Sequence, residues 1–452
     1  MTSRKSASRG IDLTQGSPIK VIILFALPML LGNIFQMLYT VVDSYFMGNY
    51  VSTEAMAAVG ACSSMINFFL NVSIGIATGL GIVIAQYVGA KNDDAVHRVS
   101  MNALFMILIT ALIMTTLALS LNRTILRWLG TPEDIIRMSI RYSTTVLAGL
   151  VCTLTYNMTA ALLRGLGNSR APLYFLILAS VMHIILDYVF VLGLKMGVVG
   201  VASATIASQG LSAVLTLIYM YRKYPIMRFS LKEFRPDSEI VKKVCKLGIP
   251  MGLQSGCFTI GMMTIQKVIN SFGTMVVSGY TVGARCEEIS WCTFTTLSQA
   301  IATYTGQNAG AGDIPRIRKG VRSSLILLLF LTCTATLLVW LFGRPLASLF
   351  VPEEPQVQEI AYGFLKVNSA FFIPMGFVML YNFALKGMGE ITVPMISAFI
   401  ELFCKVFFSI VLAKAFGYFG IWFAEPLGWT LGCILPMIRY YSGKWVKGVE
   451  AL

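Results

Sequence analysis

Leu163-Arg164-Gly165-Leu166-Gly167 returns as Leu385-Lys386-Gly387-Met388-Gly389, 222 residues further along the chain. Pro172 returns as Pro394 at the same offset. Working outward, Gln86-Tyr87-Val88-Gly89-Ala90 is echoed by Gln307-Asn308-Ala309-Gly310-Ala311 at 221. Phe25-Ala26-Leu27-Pro28-Met29 is echoed by Leu247-Gly248-Ile249-Pro250-Met251 at 222. Chance similarity does not hold one spacing over most of a chain, so the sequence is two copies of one unit. Doubled membrane bundles commonly place a substrate path at the interface between repeats.

Composition supplies the solvent. Of 452 residues, 56% are hydrophobic and 12% charged, with a mean hydropathy of +0.74. Soluble proteins carry roughly 25% charged residues. Most apolar stretches exceed the ~20 residues that cross a bilayer. The first, from near Ile19, is too long for the h-region of a cleavable leader and is expected to remain as a span. The nine Cys are scattered with no CxxC pair, and residues such as Cys257, Cys333 and Cys404 read as small core hydrophobes.

Breaks at Gly, Pro, Asn and charge clusters predict twelve helices, at 19–47, 54–87, 98–121, 136–164, 171–194, 197–222, 240–270, 275–308, 320–342, 357–386, 393–416 and 419–441. The expected organisation is a tail over 1–18, a first lobe over 19–222, a linker over 223–239, a second lobe over 240–441 and a tail over 442–452. Six helices per half is an even number, so both halves start on the same side and the repeats are parallel. With both termini in the cytoplasm, 24 of the 35 basic residues fall on the inner side. The net charge of +14 therefore orients the chain against anionic lipid, and no nucleic acid is implied.

Ionisable groups inside such segments are expensive and are functional candidates by default. Asp43 stands six residues before Asn49, and Asp187 eight before Lys195. At helical rise each lies roughly 9–12 Å below the expected outer boundary. Two acids in two helices suit one cation; the alternative is an Asp held by Ser, Thr or Tyr hydroxyls. His183, one of two His in the chain, lies one turn before Asp187 on the same face. His97, beside Asp93 and Asp94, reads as solvated. The second half carries Lys267, the trio Arg285, Glu287 and Glu288, and the i, i+4 pair Glu401 and Lys405. Lys405 is the repeat mate of His183. Internal ion pairing and a part in coupling both fit this set. Glu425, before Pro426, reads equally as packing, helix break or function. The small-residue run from Gly197 to Gly210 reads as close helix packing. The 24 Met and 28 Phe give adaptable apolar surface for varied lipophilic cations.

Taken together, Leu27-Pro28, Val42-Asp43-Ser44-Tyr45-Phe46-Met47-Gly48, Gln86-Tyr87-Val88-Gly89-Ala90-Lys91, Leu163-Arg164-Gly165-Leu166-Gly167-Asn168 and Ile185-Leu186-Asp187 resemble the MATE (multidrug and toxic compound extrusion) family across essentially the whole chain. The resemblance is closest to the prokaryotic branch with a first-helix Asp. It implies an all-α polytopic fold of twelve transmembrane helices in two parallel six-helix repeats forming a V. It also implies export of organic cations against inward H+ or Na+. Asp43 matches the first-helix acid and Asp187 the fifth-helix acid. Thr205 matches a sixth-helix hydroxyl, and Asn157, with Gln36 and Tyr39, matches polar cavity positions. The family pattern has Asn where this chain has His183, which counts against an unmodified Na+ site at Asp43 and Asp187. Acids that some relatives carry in the seventh and tenth helices are missing from Gln254-Ser255-Gly256-Cys257 and Met379-Leu380-Tyr381-Asn382.

The expectation is a plasma-membrane antiporter, without cofactor or resident metal, exporting small lipophilic cations for H+, with Na+ as the other candidate ion. One chain holds both lobes, which suits a monomer. A lipid-linked precursor flippase of the same superfamily is the rival, but few basic residues lie mid-membrane. A membrane-embedded enzyme would need a catalytic group such as a His cluster, and a channel would need a regular polar stripe.

Overall fold

A computed structural model describes residues 10–228 and 236–450, and among them the regular structure is all helix, with no strand. The side chains of Tyr39, Val41, Ser44, Tyr45, Asn49 and Thr53 lie outside the description, as do Arg4, Lys5, Arg9, Lys232 and Arg235. In membrane, a helix is what satisfies every backbone N–H and C=O within its own segment.

The first six spans are α1 (Pro18–Phe46), α2 (Thr53–Gly89), α3 (Asp93–Trp128), the pair α4 (Glu133–Ala148) and α5 (Leu150–Gly165), α6 (Arg170–Asp187) and α7 (Val198–Lys223). The second six are α8 (Ser238–Asn270), α9 (Thr274–Gly310), α10 (Ile314–Ser348), the pair α11 (Pro355–Ala370) and α12 (Phe372–Gly387), α13 (Thr392–Phe416), and α14 (Tyr418–Ile421) with α15 (Ala424–Tyr441). A short α16 (Val446–Glu450) follows. The fourth span of each repeat is bent, by 41° at Gly149 and by 53° at Phe371, again 222 positions apart. Helices α3 and α10 run beyond the expected 98–121 and 320–342 at both ends. They turn Leu112, Ile113, Phe330 and Leu337 outward, an arrangement that lipid tolerates and water does not.

Two compact units emerge among the described residues, Leu27–Ser255 with residues 10–12, and Leu13–Ala26 with residues 256–450. In the first, α2 packs against α3, α4 and α5 around Met65, Phe69, Met114, Leu126 and Leu150. In the second, α9 packs against α10, α11 and α12, and Tyr280 stacks on Trp422 with Phe364 edge-on to both. Residues 13–16 join this unit through Arg316, whose guanidinium donates to the carbonyls of Leu13, Gln15 and Gly16.

The repeated Leu-x-Gly-x-Gly motif now has a physical account. A Cβ on Gly165 would lie 2.7 Å from the Gly81 carbonyl oxygen on α2, and one on Gly387 would lie 2.3 Å from the Ala302 oxygen on α9. Helices draw together in lipid by such close backbone contact. The second glycine ends the helix in the left-handed region, φ +84° at Gly167 and +85° at Gly389. His97 departs from expectation. It is half-buried, with Nδ1 2.8 Å from the Ile226 carbonyl, tying α3 to the turn Pro225–Met227.

Candidate cation site

Asp43 sits one turn from the end of α1, and Asp187 is the last residue of α6. Beyond each, the backbone widens into a π turn, Met47–Val51 and Tyr188–Gly193. Such turns recur at functional sites because they re-aim side chains and loosen backbone pairing. Met47 and Val191, one from each π turn, pack with Ala55, Val198 and Val201 in one apolar cluster. Among the described residues, π turns occur only in the first repeat.

His183 lies between the carboxylates. Its Nδ1 is 3.4 Å from Asp43 Oδ1 and 3.4 Å from Asp187 Oδ2. One ligand atom from each of the three residues falls within 4.8 Å of the others. Asp187 is fully buried, His183 is 2% exposed, and the Asp43 side chain keeps 20% exposure. Asp43 Oδ1 and both Asp187 oxygens have no hydrogen-bond partner among the described residues.

Thr205 Oγ1 lies 3.0 Å from the Val201 carbonyl, to which it donates, and 3.1 Å from His183 Nε2. With Thr205 so engaged, a neutral ring that donates from Nε2 turns Nδ1 toward the acids as an acceptor, and a protonated ring donates from Nδ1 to them. Two carboxylates and one imidazole nitrogen then face one another in a largely buried space. Like charges this close cannot all persist without a compensating positive charge. A proton on Nδ1 or on either carboxyl removes the conflict, and so does a small cation among them. Two carboxylate oxygens suit Na+, whereas an imidazole nitrogen is a poor ligand for it.

The other expected residues are distributed as follows. Asn157 is half-buried on α5 and Gln36 exposed on α1, and no hydrogen bond joins either to the acids among the described residues. The Tyr39 side chain lies outside the description. Lys267 is exposed. Arg285 pairs with Glu288 on the outer face of α9 at 3.3 Å, while Glu287 turns inward and is 7% exposed. Lys405 is 1% exposed and pairs with Glu425 at 3.3 Å, with Glu401 a helical turn before it on α13. Lys386, one of the 24 basic residues counted to the inner side, is buried, its ammonium 4.4 Å from the Phe383 ring centre. The π turns carried no sequence signal. Glu425 announced itself only as an acid within an apolar span.

The sequence model of the MatE family matches residues 28–189 and again 250–411, two stretches beginning 222 residues apart. The chain belongs to the MATE family. Members of this family are membrane transporters and not enzymes. The chain is 28% identical over 440 residues to a probable multidrug resistance protein, YpnP, of Bacillus subtilis, covering 97% of this chain and 98% of that one. It is 29% identical over 437 residues to a probable multidrug resistance protein, NorM, of Thermotoga maritima, covering 95% and 93%. A solved MOP-superfamily transporter from Pyrococcus furiosus has the same fold, with TM-score 0.91 and 22% identity over 99% of this chain and 100% of that chain. The twelve-helix MATE fold is thereby established for this sequence.

Proposed function

We propose that this MATE transporter is a secondary active multidrug antiporter, exporting small lipophilic cations in exchange for H+. The observation that carries the reading is the group Asp43, His183 and Asp187, two acids and one imidazole whose ligand atoms lie within 4.8 Å of one another. The names of its relatives support export of drugs, and the surplus of basic residues on one side supports cytoplasmic termini in a plasma membrane. A single chain carries both repeats, which supports function as a monomer.

The coupling follows from charge. With the proton released, the acid pair is negative and attracts a cationic substrate. With the proton bound, the negative potential falls, the substrate is released, and the helices carrying the acids repack. Proton and drug exchange because each stabilises a different state, and the coupling is reciprocal. His183 favours H+ over Na+ as the coupling ion because Nδ1 stores a proton where an oxygen ligand would be wanted. Purified protein in liposomes, loaded with ethidium and given a pH gradient or a Na+ gradient separately, tests this. Efflux driven by the pH gradient alone is expected, and efflux driven only by Na+ would overturn the proton assignment.

A further inference from the structure

Within the second repeat, Glu287, Lys386, Glu401, Lys405 and Glu425 form a charged group that the exchange at Asp43, His183 and Asp187 does not use. Lys405 on α13 is their centre, and it occupies the repeat position of His183. The mates of Asp43 and Asp187 at that offset are Ile265 and Ser409, so neither acid is repeated. Acids arrive instead from other helices, Glu287 from α9 and Glu425 from α15.

The Lys405 ammonium lies 3.3 Å from Glu425 Oε1, 4.0 Å from the centre of the Phe258 ring and 3.9 Å from Met262 Sδ, both on α8. One carboxylate, one aromatic face and one thioether thus surround it. Glu287 is 93% buried by its 7% exposure, and its Oε1 has no hydrogen-bond partner among the described residues. It sits in the fields of both Glu425 and Lys405. Glu401, half-buried one turn from Lys405, feels Lys405, Lys386 from α12, and Glu425. Tyr280 interacts electrostatically with Glu287 and Glu425, and Cys404 and Cys433 with Glu401. Three Glu against two Lys leaves one negative charge uncompensated; Glu425 Oε1 also lacks a hydrogen bond but lies against the Lys405 ammonium, whereas Glu287 has no ion pair among the described residues. A lone buried carboxylate is costly without a partner.

We propose that this group is a second proton-exchange site, in which Glu287 takes up H+ and the fixed ammonium of Lys405 fills the place an exchangeable cation would take. A metal cation would have to approach the Lys405 charge and find several oxygen ligands. A proton needs only the carboxylate. H+ from water adds to Glu287 and leaves a neutral carboxylic acid and an electrically balanced group; release returns the carboxylate. The first repeat thus exchanges its cation at a His, and the second carries a permanent one and exchanges only a proton. This inference rests on proton-driven transport as read above.

The test is the proton-to-substrate ratio. Reconstituted protein is given a fixed pH gradient, and the opposing ethidium gradient that just stops net flux is measured for wild type, Glu287→Gln and Glu288→Gln. Glu287→Gln is expected to transport with one proton fewer per substrate and to stall at a shallower gradient. Glu288→Gln, altered on the outer face, is expected to match wild type. An unchanged ratio in Glu287→Gln overturns the second site while leaving the first intact. A wild type insensitive to the pH gradient overturns the first reading instead. If Glu287→Gln does not transport, infrared difference spectra of the Asp43→Asn/Asp187→Asn protein decide. A carboxylic-acid band that disappears as pH rises, and is missing when Glu287→Gln is added, is expected. No such band, or one that survives Glu287→Gln, refutes the proposal.

Discussion

At the residue scale, His183 is central because Thr205 holds its Nε2 while its Nδ1 lies 3.4 Å from an oxygen of each acid. Asp43→Asn keeps the size of the side chain and removes its charge. Ethidium efflux from proteoliposomes is expected to be abolished, with the thermal unfolding temperature close to that of wild type; persistent transport counts against the cycle. His183→Asn replaces the ring nitrogen with an amide oxygen able to ligate Na+. Export by that variant is expected to gain a requirement for Na+, and an unchanged ion preference would reduce His183 to packing. Thr205→Val leaves Nε2–H without its acceptor, a loss of about 1–3 kcal/mol for an unsatisfied buried donor. It should lower the unfolding temperature and alter the pH profile of transport, where a purely structural role would move only the first. The acids and the His were legible in the sequence because charge in an apolar segment is conspicuous. The direction of each side chain was not. Arg285, Glu287 and Glu288 read as one cluster, yet a helix turns 100° per residue and sends Glu287 inward while its neighbours pair outside.

At the element scale, glycine placement controls how nearly helices approach. Gly387→Ala puts a methyl group against the Ala302 carbonyl and Thr305 Oγ1, both closer than 2.5 Å to the built Cβ. Overpacking of this kind costs about 1–3 kcal/mol, so the unfolding temperature is expected to fall. Gly363→Ala on α11 meets nothing within 4 Å and is the control. In a helix interior it is expected to be neutral or to stabilise by up to about 1 kcal/mol. Equal effects of the two changes would remove close packing as the reason for the repeated motif. The spacing of Gly and Pro exposed the helices and their repeat to sequence reading. The π turns after Asp43 and Asp187 stayed hidden, because a π turn is one residue inserted into a helix and has no compositional mark. The bends at Gly149 and Phe371 were hidden for a related reason. One has a glycine and the other a phenylalanine, so only their equivalent positions reveal them.

At the scale of the whole molecule, the chain is one bundle written twice and then differentiated. The offset of 222 appears in the motif glycines, in the bent fourth spans and in the two stretches that match the MATE family. Differentiation falls on charge. The first repeat keeps two acids around a His, and the second sets Lys405 in the equivalent place with acids drawn from other helices. Duplication was plain in the sequence because spacing survives substitution. The partner of Lys405 was not, because Glu425 belongs to another helix and spacing alone does not tell which acid faces the lysine. The most direct test of the central claim is proton release on substrate binding. Purified protein in weakly buffered detergent is titrated with ethidium while the pH is followed. The account predicts H+ released as ethidium binds, with fewer protons released by Asp43→Asn. Ethidium binding to wild type with no proton release, or equal release from the variant, would contradict it.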